Sequence, residues 1–172
     1  NEAENIERTI KLIRSQDFSG DVEIIVLDSG STDGTVEIAK SLGVRVEIYD
    51  KPFSYGGTIN EGARIATGEI FVVLSAHAFP YDEAWLSELV KPLEQRDVAA
   101  TTSRQIPKLD DDPFIRRGLL KRQPPRLIYP YVSGAMGIGN ASAAYKRELV
   151  LKYPFDENVR YSEAYLWSQE TM

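Results

Sequence analysis

The sequence predicts an α/β fold in which a mostly parallel sheet is flanked by helices. Two observations support this prediction. Short apolar segments rich in β-branched residues alternate with segments of helical periodicity, and a glycine closes two of the predicted helices, at Gly43 and Gly68. Because neighbouring parallel strands need a crossover helix that packs back on the sheet, this alternation indicates a doubly wound arrangement.

The predicted elements follow one another regularly through the first half of the chain. The first is a helix that begins near Ile6, after an acidic, Asn-containing start that suits the positive end of a helix dipole. The second is a strand at 22–27, whose nearly continuous apolar run predicts burial on both faces of the sheet. The remaining predicted helices span 33–42, 58–67 and 82–93, and the remaining strands span 44–49, 70–74 and 98–102.

The second half of the chain is less regular, because prolines recur through it. We expect loops and short helices there, covering one edge of the sheet, and no separate domain. A chain of 172 residues, 42% of them hydrophobic, is long enough for one substantial core. The sequence therefore predicts a single domain over 1–172.

The composition argues against several classes of function. The net charge of −6, from 26 acidic and 20 basic residues, disfavours a general nucleic-acid binder. The chain has no cysteine, which excludes disulfides, thiolate metal sites and a cysteine nucleophile. No apolar run approaches the roughly 20 residues of a membrane-spanning helix, and we expect a cytoplasmic protein.

Asp28 closes the first predicted strand and opens a segment of small residues that leads into a helix. This is the crevice position of an open α/β sheet, where ligands bind. The carboxylate can accept hydrogen bonds from a base or a ribose, or it can bond the backbone of its own loop. The sequence leaves both interpretations open. Asp33 is predicted to be the N-cap of the following helix.

An ordered series of motifs runs through nearly the whole chain. It includes NEAENI at 1–6, DSGSTDGT at 28–35, FSYGG at 53–57 and ATGEI at 66–70. The series resembles the inverting glycosyltransferases of family 2, which have the Rossmann-like GT-A fold. That resemblance implies a nucleotide-binding half at about 1–103 and an acceptor side at about 104–172. The family also places an apolar strand before its Asn-Glu pair, with which this sequence begins, so we expect an unpaired strand edge in the sheet.

The resemblance implies roles for residues of the nucleotide site. Glu2, Asp28 and Ser75 would bind the nucleotide, and we expect a uridine or deoxythymidine diphosphate sugar as the donor. In the family, one strand ends in Asp-x-Asp, whose carboxylates meet the ribose and a divalent metal; here residues 75–77 read Ser-Ala-His. His77 is expected to bind Mn²⁺ or Mg²⁺, with manganese the better match for imidazole, or to hydrogen-bond a phosphate without metal.

The same resemblance assigns the donor sugar and the acceptor to the second half. Gly139, Asn140 and Ala141 begin a segment that resembles the loop and helix lining the donor-sugar pocket, although its small residues would equally suit close helix packing. Residues 163–167 resemble the family's Glu-Asp-x-x-Trp acceptor motif, which gives Trp167 an acceptor role.

This acceptor motif lacks its usual general base. Ala164 stands in the place of the Asp, and alanine cannot take a proton from the acceptor hydroxyl. Glu163 is adjacent, but neighbouring helical side chains point roughly 100° apart. Either the chain is inactive, or Glu163, Asp156 or Glu157 supplies the carboxylate. We expect Ala164→Asp to be tolerated and to raise activity.

Three functions are compatible with these observations. The first is transfer of a sugar to the hydroxyl of a saccharide or lipid-linked acceptor, in polysaccharide or glycoconjugate synthesis. The second is a non-catalytic or inactivated sugar-nucleotide-binding domain, and the third is a nucleotidyltransferase, whose glycine-rich basic loop is missing here. A basic, amphipathic segment at 104–131 fits a solvated helix face, or a cover that meets the diphosphate or an anionic membrane surface.

Overall fold

Helices and strands alternate along the first half of the chain, as the sequence predicts. The computed structural model describes residues 1–106, 139–160 and 163–170, so most of the basic segment at 104–131 lies outside the described residues. The helices are α1 (Ile6–Arg14), α2 (Thr35–Ser41), α3 (Tyr55–Ile65), α4 (Trp85–Val90), α5 (Arg147–Lys152) and α6 (Glu163–Glu170). The strands are β1 (Ile25–Asp28), β2 (Arg45–Ile48), β3 (Ile70–Leu74), β4 (Ala100–Thr102) and β5 (Ser142–Lys146).

The strands form one parallel and one antiparallel ladder. β1 and β2 are parallel, with Val26 opposite Val46. The second ladder has the order β3-β5-β4, and Ala144 of the central strand lies opposite Val72 and Thr101. The predicted α/β architecture with a parallel sheet and flanking helices is confirmed at β1 and β2. The prediction that the sheet is mostly parallel does not extend to β3, β5 and β4, which pair antiparallel.

The strand β5 corrects the expectation of a loop and helix at 139–148. Only the first residues form a loop, Ser142–Lys146 is a strand, and the helix begins at Arg147. Alanine has little intrinsic strand preference, so Ala143 and Ala144 gave no local signal. The strand forms because it pairs on both sides and its residues from Ser142 to Tyr145 are buried.

Element boundaries differ from the predictions for identifiable local reasons. β1 begins three residues later than the predicted start, and Val22 is 48% exposed. The β1 residues before Asp28 are only partly buried, which contradicts the prediction of burial on both faces. The helix α3 begins earlier than predicted, because Ser54 caps it by accepting a hydrogen bond from the Gly57 N–H at 3.0 Å. The predicted helix at 82–93 is α4 followed by a 3₁₀ turn, Lys91–Glu94, which includes Pro92.

An aromatic cluster joins the second ladder to α6. Tyr145 packs edge-on against Trp167, with ring centroids 5.1 Å apart, and Phe155 stacks on Trp167 at 5.4 Å. The same buried cluster contains Ile59, Ala63 and Ala164. None of the helices within 1–106, 139–160 and 163–170 is long and apolar enough to cross a membrane.

Candidate active site

The N-terminal segment and the loop after β1 are joined by hydrogen bonds at one edge of the parallel pair. The Glu2 backbone N–H donates to Thr35 Oγ1 at 2.8 Å, and the Ala3 N–H donates to Asp33 Oδ2 at 3.0 Å. The Thr32 N–H donates to Asn1 Oδ1 at 2.7 Å. Two segments that the sequence places some thirty residues apart therefore form one surface at the carboxyl end of β1.

Asp33 differs from its predicted role. Gly34 is the N-cap residue of α2, with a left-handed φ of 91°, and it has no side chain to bond the helix. Asp33 lies one residue earlier, where its Oδ1 accepts from the Thr35 N–H at 3.2 Å and from the Thr35 hydroxyl. The hydrogen bonds from Thr35 and Ala3 lower the pKa of Asp33 to about 2. The side chain thus connects the start of α2 to the N-terminal segment.

Asp28 is buried, and its carboxylate bonds its own loop. Oδ2 accepts from the backbone N–H groups of Gly30 and Ser31, both at 2.8 Å, and Gly30 adopts a left-handed φ of 109°. Burial alone raises the pKa of Asp28, but the hydrogen bonds from Ser31 and Gly30 outweigh it and lower the pKa. Asp28 therefore bonds the backbone of its own loop, as one of the two interpretations predicts, and its contact with a nucleotide stays a prediction.

His77 and Glu2 form a pair across 75 residues of sequence. His77 Nδ1 lies 2.9 Å from Glu2 Oε1, and Asn5 Nδ2 donates to Glu2 Oε2 at 2.8 Å. The bond from Asn5, followed by the bond to His77, lowers the pKa of Glu2 despite some burial. The His77 side chain is 66% exposed. Since Nδ1 faces the carboxylate, Nε2 is the ring nitrogen that can meet a ligand.

The Glu2–His77 pair determines which protein ligands a divalent metal could find at this edge. No group of three or more His, Asp, Glu or Cys side chains that could hold a metal occurs among the described residues. His77, supported by the Glu2 carboxylate, offers one imidazole nitrogen, which manganese accepts more readily than magnesium does. The described residues therefore do not form a preformed protein cage, and an ion held by His77 would have to take most of its ligands from a bound molecule.

The loop at 139–141 contacts both sides of the site. The backbone N–H of Ser75 donates to the Ala141 carbonyl at 3.0 Å, so this loop adjoins the Ser75-to-His77 segment. The Thr102 hydroxyl donates to the Gly139 carbonyl at 3.1 Å. The predicted nucleotide-binding and donor-sugar segments are thus neighbours.

Asn140 links this loop to the start of α6. Its Nδ2 donates to Glu163 Oε1 at 2.9 Å, and its Oδ1 accepts from the Tyr145 hydroxyl. Tyr145 is fully buried, and burial together with the negative charge of Glu163 raises the pKa of the phenol well above its ordinary value. The phenol is therefore protonated and able to donate.

The other two residues of the acceptor motif lie in the core. Ala164 is 3% exposed and packs in the cluster with Ile59 and Ala63. Trp167 is 2% exposed, and its Nε1 donates to the Tyr153 carbonyl at 2.6 Å. This burial argues against the expectation that position 164 tolerates an aspartate, because a carboxylate there would lose its water, and the effect of the substitution stays a prediction. The roles of this motif toward an acceptor stay predictions.

Two residues that support this site, Asn5 and Tyr145, were not predicted from the sequence. Asn5 lies three residues after Glu2, a helical spacing that brings side chains together and could have identified it. Tyr145 bonds Asn140 from the central strand β5, whose existence had no local signal. Only the packed structure reveals the second contact.

Together, the fold and these contacts define an α/β domain of the GT-A type, in which the N-terminal segment and the loop after β1 are joined at the carboxyl end of β1. Residues 1–153 match the family described as Glycosyl transferase family 2. The chain belongs to this family.

Several known proteins resemble the chain. An uncharacterised glycosyltransferase of Nostoc sp. is 28% identical, covering 91% of this chain and 51% of the relative. The O-antigen chain rhamnosyltransferase RfbN of Salmonella typhimurium is 33% identical, over 54% of this chain and 30% of the relative. The chain thus spans about half or less of the length of these relatives.

Solved structures share the fold. The mannosyltransferase PcManGT from Pyrobaculum calidifontis, in complex with GDP-Man and Mn²⁺, aligns with a TM-score of 0.73 and 23% identity, covering 99% of this chain and 49% of that one. Glucosyl-3-phosphoglycerate synthase from Mycobacterium tuberculosis, in complex with UDP, aligns with a TM-score of 0.62 and 25% identity, covering 90% of this chain and 56% of that one.

Proposed function

We propose that this chain is the core of an inverting glycosyltransferase. It would transfer a sugar from a nucleoside-diphosphate sugar to the hydroxyl of a saccharide or lipid-linked acceptor, in polysaccharide or glycoconjugate synthesis. The observation that carries the proposal is the meeting of three distant segments: Glu2 contacts His77, and Ser75 contacts Ala141. The similarity to proteins described with GDP-Man or UDP supports a nucleotide diphosphate as ligand.

Each residue of this edge has a role in the proposal. Asp28, held in its ionised form by its loop, would accept hydrogen bonds from the base or ribose. Glu2 would orient His77, and Ser75 would lie beside the nucleotide. Gly139 and Ala141 would let the donor sugar approach the backbone. When bound, a divalent ion held by His77 and the diphosphate would neutralise the charge of the leaving group.

The proposed transfer is a single displacement. The acceptor oxygen attacks the anomeric carbon on the side opposite the diphosphate, the bond from that carbon to the diphosphate oxygen breaks, and the electron pair leaves with the nucleoside diphosphate. The hydroxyl proton passes to a carboxylate, which must lie within hydrogen-bond reach of the acceptor.

Glu163 is our candidate for that carboxylate. Of the three acids considered, it alone contacts the donor-pocket loop, through Asn140. Asp156 instead accepts from the Asn158 backbone N–H at 2.9 Å within its own turn, and Glu157 contacts Asn60 of α3. A general base contributes about 10² to 10⁴-fold to the rate, so Glu163→Gln should lower transfer by roughly that factor and preserve nucleotide binding.

A non-catalytic sugar-nucleotide-binding domain is the second candidate function, favoured by the apolar burial of Ala164 at the position of the family's base. Calorimetric titration of the full chain with UDP, dTDP and GDP, followed by assays of donor hydrolysis and sugar transfer, separates the two. Binding with turnover supports the enzyme, binding without turnover supports the second candidate, and absence of binding refutes both. Membership of family 2 speaks against the nucleotidyltransferase alternative.

A further inference from the structure

We propose that Asn140 is a positioning residue that holds Glu163 in place for catalysis, and that Tyr145 fixes Asn140 in turn. The inference rests on the proposed function, in which Glu163 receives the acceptor proton. It assigns Asn140 a role other than the donor-sugar contact that the resemblance implies. The three side chains form a chain of two hydrogen bonds, from β5 through the loop at 139–141 to the first residue of α6.

The donors and acceptors of these two hydrogen bonds permit one orientation of the Asn140 side-chain amide. Asn140 Oδ1 accepts from the Tyr145 hydroxyl, so the NH₂ group faces Glu163 and donates to its Oε1 at 2.9 Å. With the amide reversed, its carbonyl oxygen would face the carboxylate, and two acceptors would repel each other. The orientation is therefore matched to an ionised Glu163, which is the form that a general base needs.

Tyr145 is a rigid anchor for the amide. Its side chain is fully buried, and its ring packs edge-on against Phe155 and Trp167, with centroids 5.7 and 5.1 Å away. Its backbone belongs to the central strand of the antiparallel ladder. Because Tyr145 holds Asn140 and Asn140 holds Glu163, the Glu163 side chain is connected to the sheet as well as to the start of α6.

The same loop also adjoins the nucleotide side. Ala141, the residue after Asn140, accepts the Ser75 backbone N–H at 3.0 Å, and Ser75 lies two residues before His77. Asn140 therefore lies between the segment predicted to meet the diphosphate and the carboxylate predicted to meet the acceptor. This placement is what alignment of a base with the reacting bond requires.

The main test is a double-mutant cycle between Asn140 and Glu163. In the full chain, Asn140→Ala should lower kcat for sugar transfer by about 10- to 100-fold, because misplacing a catalytic group by about 1 Å can cost about 100-fold in rate. The same substitution should change the nucleotide Kd by less than about twofold. Added to Glu163→Gln, the same change should cost almost nothing further, because there is no base left to position. Equal losses in both backgrounds would overturn the proposal.

Matched variants separate positioning from a general loss of structure. Asn158→Ala removes an exposed asparagine whose side chain donates a hydrogen bond to Asp156 instead of Glu163, and it should keep full activity. Tyr145→Phe should give a smaller loss of kcat than Asn140→Ala, since the bond from Asn140 to Glu163 is kept. If Asn140→Ala does not fold, the near-isosteric Asn140→Asp replaces it and places a second carboxylate beside Glu163. It should shift the acidic limb of the kcat profile to higher pH, and an unmoved limb would refute the contact.

Failure of this inference can be told from failure of the proposed function. If Glu163→Gln is inactive while Asn140→Ala and Asn140→Asp behave as wild type, the base is right and the positioning role is wrong. If Glu163→Gln keeps the full rate, the assignment of the base is wrong, and the inference falls with it. If the unmodified chain does not bind nucleotides at all, the proposed donor site as a whole is refuted.

Discussion

Replacing Ala164 with aspartate tests whether position 164 is the site of a catalytic base or part of the hydrophobic core. By the resemblance to family 2, position 164 is the site of the missing base, so Ala164→Asp would restore activity. In the structure, Ala164 is 3% exposed among Ile59, Ala63 and Trp167. A carboxyl group there would be surrounded by apolar side chains. We therefore expect the substitution to destabilise the fold and not to raise the transfer rate.

The magnitude follows from the environment. Burying a polar group without a hydrogen-bond partner costs about 1 to 3 kcal/mol in protein mutants, and a buried charge costs more unless the group stays protonated. Burial raises the pKa of the new carboxyl in the folded state above its value of about 3.9 in the unfolded chain. The folded state then binds more protons than the unfolded state, so stability falls as the pH rises above about 4, at up to about 1.4 kcal/mol per pH unit.

Urea unfolding at several pH values between 4 and 8 measures this effect. Ala164→Asn is the matched control, because it has nearly the same shape and does not titrate, so its cost should be independent of pH. The gap between Asp and Asn variants should widen with pH. An unchanged free energy of unfolding for Ala164→Asp, together with a faster sugar transfer, would show that position 164 opens toward the acceptor and that the burial argument is wrong.

Three further predictions concern the nucleotide edge and a helix cap. Asp28→Ala should weaken binding of UDP or dTDP by about tenfold or more, equivalent to about 1.5 to 3 kcal/mol. An unchanged Kd by calorimetry would show that Asp28 does not bind the nucleotide. Asp28→Asn keeps an acceptor for the loop hydrogen bonds, so it separates loss of a ligand contact from loss of the loop structure. Nucleotide affinity should increase more with Mn²⁺ than with Mg²⁺, and His77→Ala should abolish that difference. If a chelator leaves the affinity unaltered, His77 acts on phosphate without metal. Ser54→Ala should lower the free energy of unfolding by about 1 kcal/mol, because the Gly57 N–H loses its cap, while the exposed control Ser41→Ala should have a smaller effect. Equal effects of the two serine substitutions would contradict the capping argument.

The Glu2–His77 pair shows why part of the site could be anticipated. Each residue was identified by its place in an ordered motif, Glu2 at the helix start and His77 after the strand predicted at 70–74. Their direct contact was not anticipated, because it depends on how α1 packs against the end of β3. The Thr9 hydroxyl contributes to this packing by donating to the Ala76 carbonyl at 2.6 Å.

Local pattern determined the first half of the fold. β-branched runs and helical periodicity report how each segment buries one face, and that information lies within a few neighbouring residues. The strand Ile70–Leu74 was therefore predicted with its observed bounds, and the loop that follows Asp28 was placed correctly after β1. The order of the motifs also determined the family.

Only the tertiary structure decided which side of each element faces the site. Ser142–Lys146 is a strand because two neighbours pair with it, although its alanines do not favour one. Glu163 meets Asn140 while the adjacent Ala164 faces the core, since successive helical side chains diverge and the packing of α6 selects which one is buried. Such choices depend on contacts between residues far apart in the chain, and no local pattern in the sequence encodes them.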